Sequence, residues 1–120
     1  MRETKSTNPQ LTELIEQLRK ESREKQAPIW IDVADYLARS RSQRVAVNLS
    51  NINRNTEKAD VVVVPGKILA SGNLDHALTV AAFEASAQAV EKLEAVKAKY
   101  ITIPELLKQN PKGSKVKIIR

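Results

Sequence analysis

Leu11, Leu14, Ile15 and Leu18 recur at the i, i+3, i+4, i+7 spacing of a single helix face. Asn8-Pro9 just before them supplies an N-cap and a proline at the first helical position, where a missing N–H costs nothing. Glu13 and Glu16 come early and Arg19, Lys20, Arg23 and Lys25 late, an order that suits the helix macrodipole. A second helix is predicted from Pro28 to about Arg39, with Ile29, Trp30, Val33, Ala34 and Leu37 as its buried stripe. Asp32 and Asp35 then face outward. Their spacing would suit a metal ion, but no third ligand lies nearby in the sequence, so they read as a solvated helix face.

Val45, Leu49 and Ile52 predict a short helix packed on one side, with Asn48, Asn51 and Arg54 on its other side. The period then changes. Asp60 to Val64 reads as a buried strand closed by a Pro65-Gly66 turn, and Lys67 to Ala70 as a second short strand ending in Ser71-Gly72-Asn73. Leu78 to Phe83 is a third strand, followed by an amphipathic helix over residues 84–98 with Ala85, Ala89, Leu93 and Val96 inward. A strand piece at Tyr100-Ile101 leads to Thr102 and Glu105, the capping box of a short helix to about Gln109. Asn110-Pro111-Lys112-Gly113 is a turn, and Ser114 to Ile119 alternates as a final strand. Two helices followed by strands interleaved with helices predict a compact, single α/β domain. Residues 1–44 form its helical N-terminal extension and basic segment, and residues 45–120 its α/β core with a basic C-terminal tail.

Composition narrows the chemistry. With 120 residues there is room for one modest core. No cysteine is present, so disulfides, Cys-zinc sites and thiol catalysis are excluded, and the single histidine, His76, excludes a multi-histidine metal cage. No apolar run approaches the roughly 20 residues that span a bilayer, and Met1 to Lys5 lack the apolar core of a signal peptide. The expectation is a soluble cytoplasmic protein with no membrane partner.

Twenty Lys and Arg against 14 Asp and Glu give a net charge of +6, and the charge is segregated. Residues 39–58 carry Arg39, Arg41, Arg44, Arg54 and Lys58 against Glu57 alone, a net of +4. Residues 108–120 carry Lys108, Lys112, Lys115, Lys117 and Arg120 with no acid, a net of +5. Ordinary soluble surfaces mix the two signs, so two unipolar segments in one small domain point to a polyanionic partner that neutralises them. Arg39, Arg41, Arg44, Arg54, Lys112, Lys115, Lys117 and Arg120 are therefore candidate phosphate contacts, joined by Lys5. Asn48 and Asn51 add groups that both donate and accept hydrogen bonds. Trp30, Tyr36 and Phe83 sit in patterns that look buried, so stacking platforms for single-stranded bases are not expected. What remains favours shape-directed binding to folded RNA over sequence reading.

An enzyme would need a nucleophile, a base and an anchor. Ser71, Asp75 and His76 fall within six residues, but triads are assembled from distant segments, and a turn serine with a surface histidine is the simpler reading. Gly66-Lys67 lacks the upstream glycine and following Ser/Thr of a phosphate loop. No catalysis, cofactor, metal or small-molecule substrate is expected. A free DNA-compacting or RNA-chaperone protein is the remaining alternative.

Val61-Val62-Val63-Val64-Pro65-Gly66-Lys67-Ile68-Leu69, continued by Gly72 and Val80-Ala81-Ala82, resembles a large-subunit ribosomal protein family of archaea and eukaryotes. It is the family "eighteen-e", related to the universal protein "fifteen". Asn8-Pro9, Trp30-Ile31-Asp32-Val33-Ala34, Val47-Asn48 with Ile52 and Arg54, and Asn110-Pro111-Lys112-Gly113 with Arg120 extend the likeness over nearly the whole chain. The short length looks archaeal. The resemblance implies an irregular β-β-α superhelix of short elements preceded by two helices. It also implies a structural constituent of the large ribosomal subunit, partnered by large-subunit rRNA and neighbouring ribosomal proteins, that supports translation. Matching positions imply RNA contacts at Arg39, Arg41, Arg44, Asn48, Arg54, Gly66, Lys67, Lys112, Lys115 and Arg120. The chain departs from the family at Ser40-Arg41-Ser42, where a proline-arginine-arginine run is usual, and at Ala70, where glycine is common.

Overall fold

The leucine stripe near the amino terminus forms the buried face of α1 (Pro9–Lys25), which lies against α2 (Pro28–Leu37). In the computed structural model, which describes residues 9–39 and 45–120, these helices are followed by β1 (Val45–Asn48), α3 (Leu49–Asn55) and β2 (Val61–Leu69). After them come β3 (Thr79–Ala85), α4 (Ala87–Ala95), β4 (Lys99–Thr102), α5 (Ile103–Gln109) and β5 (Val116–Ile118). The five strands make one parallel sheet.

Parallel strands covered on both faces read as continuous apolar runs, and Val61 to Val64 is such a run at the centre of the sheet. Successive side chains point to opposite faces. Val63 and Ala81 face a core built with α1, α2 and α5, where Leu11, Leu18, Trp30 and Leu106 are buried. Val62, Val64, Val80 and Ala82 face a second core built with α3 and α4, where Ile52 and Leu93 are buried. The α/β expectation holds, with the N-terminal helices as one of the two covering layers.

Two sequence expectations are corrected. Val45 to Asn48 is a strand rather than the start of a helix, because Val45 and Val47 alternate with Ala46 and Asn48 and pair with β2. Pro65-Gly66 does not close a strand in a turn, for β2 runs through it as nine residues with a register shift between Val64 and Lys67. Gly66 makes this possible. It pairs with Val45, and a Cβ there would overlap the Val45 carbonyl oxygen, so only glycine lets β1 approach.

β2 is longer than the strands on one of its sides. β5 pairs with its first three residues, Val61 to Val63, and β1 with Gly66 to Leu69, so two short strands lie end to end along one edge. The other edge of the sheet is β4. The start of β1 and the end of β5 therefore meet midway along the same edge.

Candidate nucleic-acid interface

That meeting point is marked by Tyr36. The i, i+3 spacing of Tyr36 and Arg39 at the end of α2 puts both on one helix face, and the Arg39 guanidinium carbon lies 4.3 Å from the centre of the tyrosine ring. Arg120, 84 residues further along the chain, brings its own guanidinium to 5.4 Å from the same ring. The quadrupole of an aromatic face attracts each cation, by about 0.5–1 kcal/mol at an exposed site. Asp32 and Asp35 complete an open depression of about 280 Å³ around Tyr36, Arg39 and Arg120. Two exposed guanidinium groups are thus held at one aromatic ring, each presenting a planar fork of donors that matches phosphate oxygens.

The support beneath this site is specific. Arg19 on α1 lies 3.8 Å from Asp35, linking the two helices. Trp30, wholly buried, donates its indole N–H to the Pro111 carbonyl at 2.7 Å, which fastens α2 to the lysine-bearing turn. Within that turn the Asn110 amide donates to the Ser114 carbonyl and accepts from the Ser114 N–H. Gly113, at φ +66°, packs against Ile29 and Trp30 with no room for a side chain. Lys112 and Lys115 are exposed around it.

The remaining candidates divide between the two faces of the sheet. Ala46 and Lys67 are partners in the ladder and exposed, while Val47 and Ile68, the next pair, are buried in the second core. Alternation therefore puts Lys67 on the face where α2 packs, with Arg39 and Arg120. Asn51 and Arg54 are on α3, across the sheet. There the Asn51 carbonyl accepts from the Asn55 amide at 2.8 Å, and Arg54 is exposed. Asn48 is exposed at the N-cap of α3 without a capping side-chain bond. Gly66 is buried within the sheet rather than displayed at a turn. Lys117 is bound to Asp60 at 2.9 Å, and Asp60 also accepts from the Glu57 N–H at 2.8 Å. That backbone hydrogen bond and the lysine hold the Asp60 carboxyl below its ordinary value. Lys5, Arg41 and Arg44 lie outside the described residues.

Sequence reasoning missed Tyr36, which it placed among buried residues; the ring is half-exposed and carries both arginines. The signal was present in the Tyr36–Arg39 spacing.

The Ser71, Asp75 and His76 cluster is spent on structure. The His76 ring bonds Asp75 Oδ1 and Thr56 Oγ1, each at 2.8 Å, and the Thr56 hydroxyl donates to the Ile52 carbonyl. The hydrogen bond from His76 holds the Asp75 carboxyl below its ordinary value. Ser71 contributes its carbonyl, which accepts from the Ser50 N–H. Lys92 donates to the carbonyls of Ala70 and Gly72, closing the loop over α4. These bonds tie the 70–78 loop to α3 and α4. Among the described residues no three His, Asp or Glu side chains gather as metal ligands, and no helix is long and apolar enough to cross a membrane.

The chain is similar to known ribosomal proteins over most of its length. Residues 9–101 match the family model described as "Ribosomal proteins 50S-L15, 50S-L18e, 60S-L27A". The chain is 48% identical over 119 residues to large ribosomal subunit protein eL18 of Methanococcus maripaludis, covering 99% of each. It is 43% identical over 119 residues to that of Methanothermobacter thermautotrophicus, covering 99% of this chain and 98% of the relative. With eL18 of Pyrobaculum aerophilum it shares 44% over 116 residues, 97% of this chain and 95% of the relative. These relatives are archaeal ribosomal proteins, not enzymes, and the chain belongs to the same L15, L18e and L27A family of ribosomal proteins.

Proposed function

We propose that this protein is a structural constituent of the large ribosomal subunit that binds and stabilises folded large-subunit rRNA among neighbouring ribosomal proteins in the cytoplasm, and so supports translation. One observation carries the reading. Arg39 and Arg120, one from each cationic segment and distant in sequence, converge at Tyr36. Asp32 and Asp35 in the same depression offset part of the repulsion between the two cations, and a polyanion lying across their exposed guanidinium forks releases its counterions. Lys67 and the turn bearing Lys112 and Lys115 extend the cationic surface on the same face, and no further stacking ring is needed for shape-directed binding.

Sedimentation through a gradient with large subunits tests the reading. The protein should travel with the subunit through moderate salt, and remain at the top if it is not a subunit component. In a binding assay with large-subunit rRNA, Arg39→Gln combined with Arg120→Gln should reduce the slope of log affinity against log salt by about 2, roughly one unit for each phosphate no longer neutralised. An unchanged slope would separate these arginines from the RNA. Equal competition by duplex DNA would favour a general nucleic-acid binder instead.

A further inference from the structure

The depression at the end of α2 holds more than cations. Asp32, Asp35 and Tyr36 follow at i, i+3 and i+4 on one face of the helix, and Arg39 comes at i+7 just past its end. These four side chains and Arg120 line about 280 Å³ of open space. Two carboxylates stand against two guanidinium groups, so the charge within it is balanced. A phosphate set inside would lie against the carboxylates as well as the cations. An uncharged planar group that donates hydrogen bonds avoids that repulsion. The space is below the roughly 300–1,000 Å³ of sites that take drug-sized ligands, which suits one such group.

A nucleobase is planar and uncharged, and the four bases differ in what they offer a carboxylate. Guanine alone presents two adjacent donors on its Watson–Crick edge, the ring N1–H and the N2 amino group. Adenine and cytosine set a ring acceptor beside their amino group, and uracil flanks its one N–H with carbonyls. Guanine's two donors match a carboxylate as the fork of an arginine does. Asp35 already faces Arg19 at 3.8 Å, whereas Asp32, exposed on the same face, pairs with no cation among the described residues. A plane for the base is also present. Arg39 lies 4.3 Å from the centre of the half-exposed Tyr36 ring, and unstacked bases lie on guanidinium planes as they do on aromatic rings. A guanidinium donates within its own plane, so an arginine carrying a base on its face still reaches a phosphate at its edge.

We propose that this depression receives one unpaired guanine of the bound RNA. The base lies against the guanidinium plane over Tyr36 and donates N1–H and an N2 amino proton to the Asp32 carboxylate, leaving the forks of Arg39 and Arg120 to the flanking phosphates. The inference rests on the RNA-binding reading and adds one base read by identity to an interface otherwise recognised by shape.

The test titrates the full chain with end-labelled UUGUU, UUAUU and UUIUU RNAs, followed by fluorescence anisotropy; the inosine of the third lacks the N2 amino group. UUGUU should bind about tenfold tighter than UUAUU, the low end for one bidentate base contact, with UUIUU between them. Asp32→Asn should bring UUGUU and UUAUU to within about twofold of each other. Asp35→Asn removes the same charge and should keep the preference. Charge alone predicts the opposite sign, since an acid lost from a surface facing a polyanion tightens binding of every oligonucleotide. Urea unfolding of Asp32→Asn should match the parent, as expected for an exposed carboxylate. Free 5′-GMP should bind at least about tenfold more weakly than UUGUU, for it lacks the flanking phosphates; equal binding would make the ligand a free nucleotide and overturn the RNA source. Equal or undetectable binding of UUGUU and UUAUU, or a preference that survives Asp32→Asn, would overturn the proposal. Sedimentation with the large subunit is read separately, so those results would leave the RNA-binding reading standing.

Discussion

The two edges of this sheet use the same parallel ladder for different ends. Along one, β5 and β1 lie in line against β2, and the seam between them brings Arg120 to the end of α2 beside Arg39. Along the other, β4 pairs with β3 alone among the described residues. The basic edge is assembled from segments remote in sequence and held by few, specific devices: a glycine, an indole hydrogen bond and a tyrosine ring. The other edge is local, formed by β4 with the start of α5 and one face of α1. A surface built from distant segments is lost when one joint fails. One built from neighbours on a central scaffold is not.

The joints rank in order of consequence. Gly66→Val should push β1 away from β2 and destabilise the fold by about 3 kcal/mol, the upper range for forcing bulk into packed structure. Urea unfolding gives that loss, and retention of near-native stability would mean β1 is not fixed at Gly66. Trp30→Phe keeps the aromatic volume but removes the donor to Pro111, leaving a carbonyl unpaired at a cost of about 1–2 kcal/mol. Amide exchange around Lys112 and Lys115 should accelerate while that of β3 and β4 does not; uniform acceleration would show that the turn is not separately anchored. Tyr36→Leu should leave stability within about 0.5 kcal/mol while weakening RNA binding two- to fivefold, as two arginines lose their ring. If binding is unaffected, the ring does not organise the arginines.

The smallest effect is electrostatic. Asp60 and Asp75 both have carboxyls held below the ordinary value of 3.8 in the folded chain. Their contribution is present above that value and is lost as pH falls through their lower folded values. Stability should therefore decline below about pH 4, and Asp60→Asn should flatten part of that decline. Tyr100 acts in the other direction. Burial, its largest influence, raises the phenol above 10.0, so its contribution is complete below that pH and fades as pH rises through the folded value. A Tyr100→Phe variant should retain stability better than the parent above pH 10. An identical alkaline profile would remove Tyr100 as its cause.

Much of this was legible in the chain. The leucine stripe of α1, the valine run of β2 and the Thr102–Glu105 cap report local chemistry, and local chemistry is written in spacing. The segregation of charge located both cationic segments as well. What the spacing did not convey was the joining of distant parts. β1 was hidden because four residues alternating in size resemble part of a helix stripe when the partner strand is unknown. The Pro65-Gly66 pair reads as a turn by propensity, yet the close approach of Val45 makes Gly66 a residue of the ladder. Tyr36 reads as a core residue because its ring exposure depends on where Arg120 ends, 84 positions later.

The central claim is that two cationic segments act as one site, and a double-mutant cycle tests it most directly. Affinity for large-subunit rRNA fragments would be measured for the parent, Arg39→Gln, Arg120→Gln and the combination at fixed salt. Side chains sharing one ring and one anionic ligand should show a coupling of at least about 0.5 kcal/mol. Losses that add within about 0.3 kcal/mol would mean the segments bind independently and that their meeting at Tyr36 has no part in recognition.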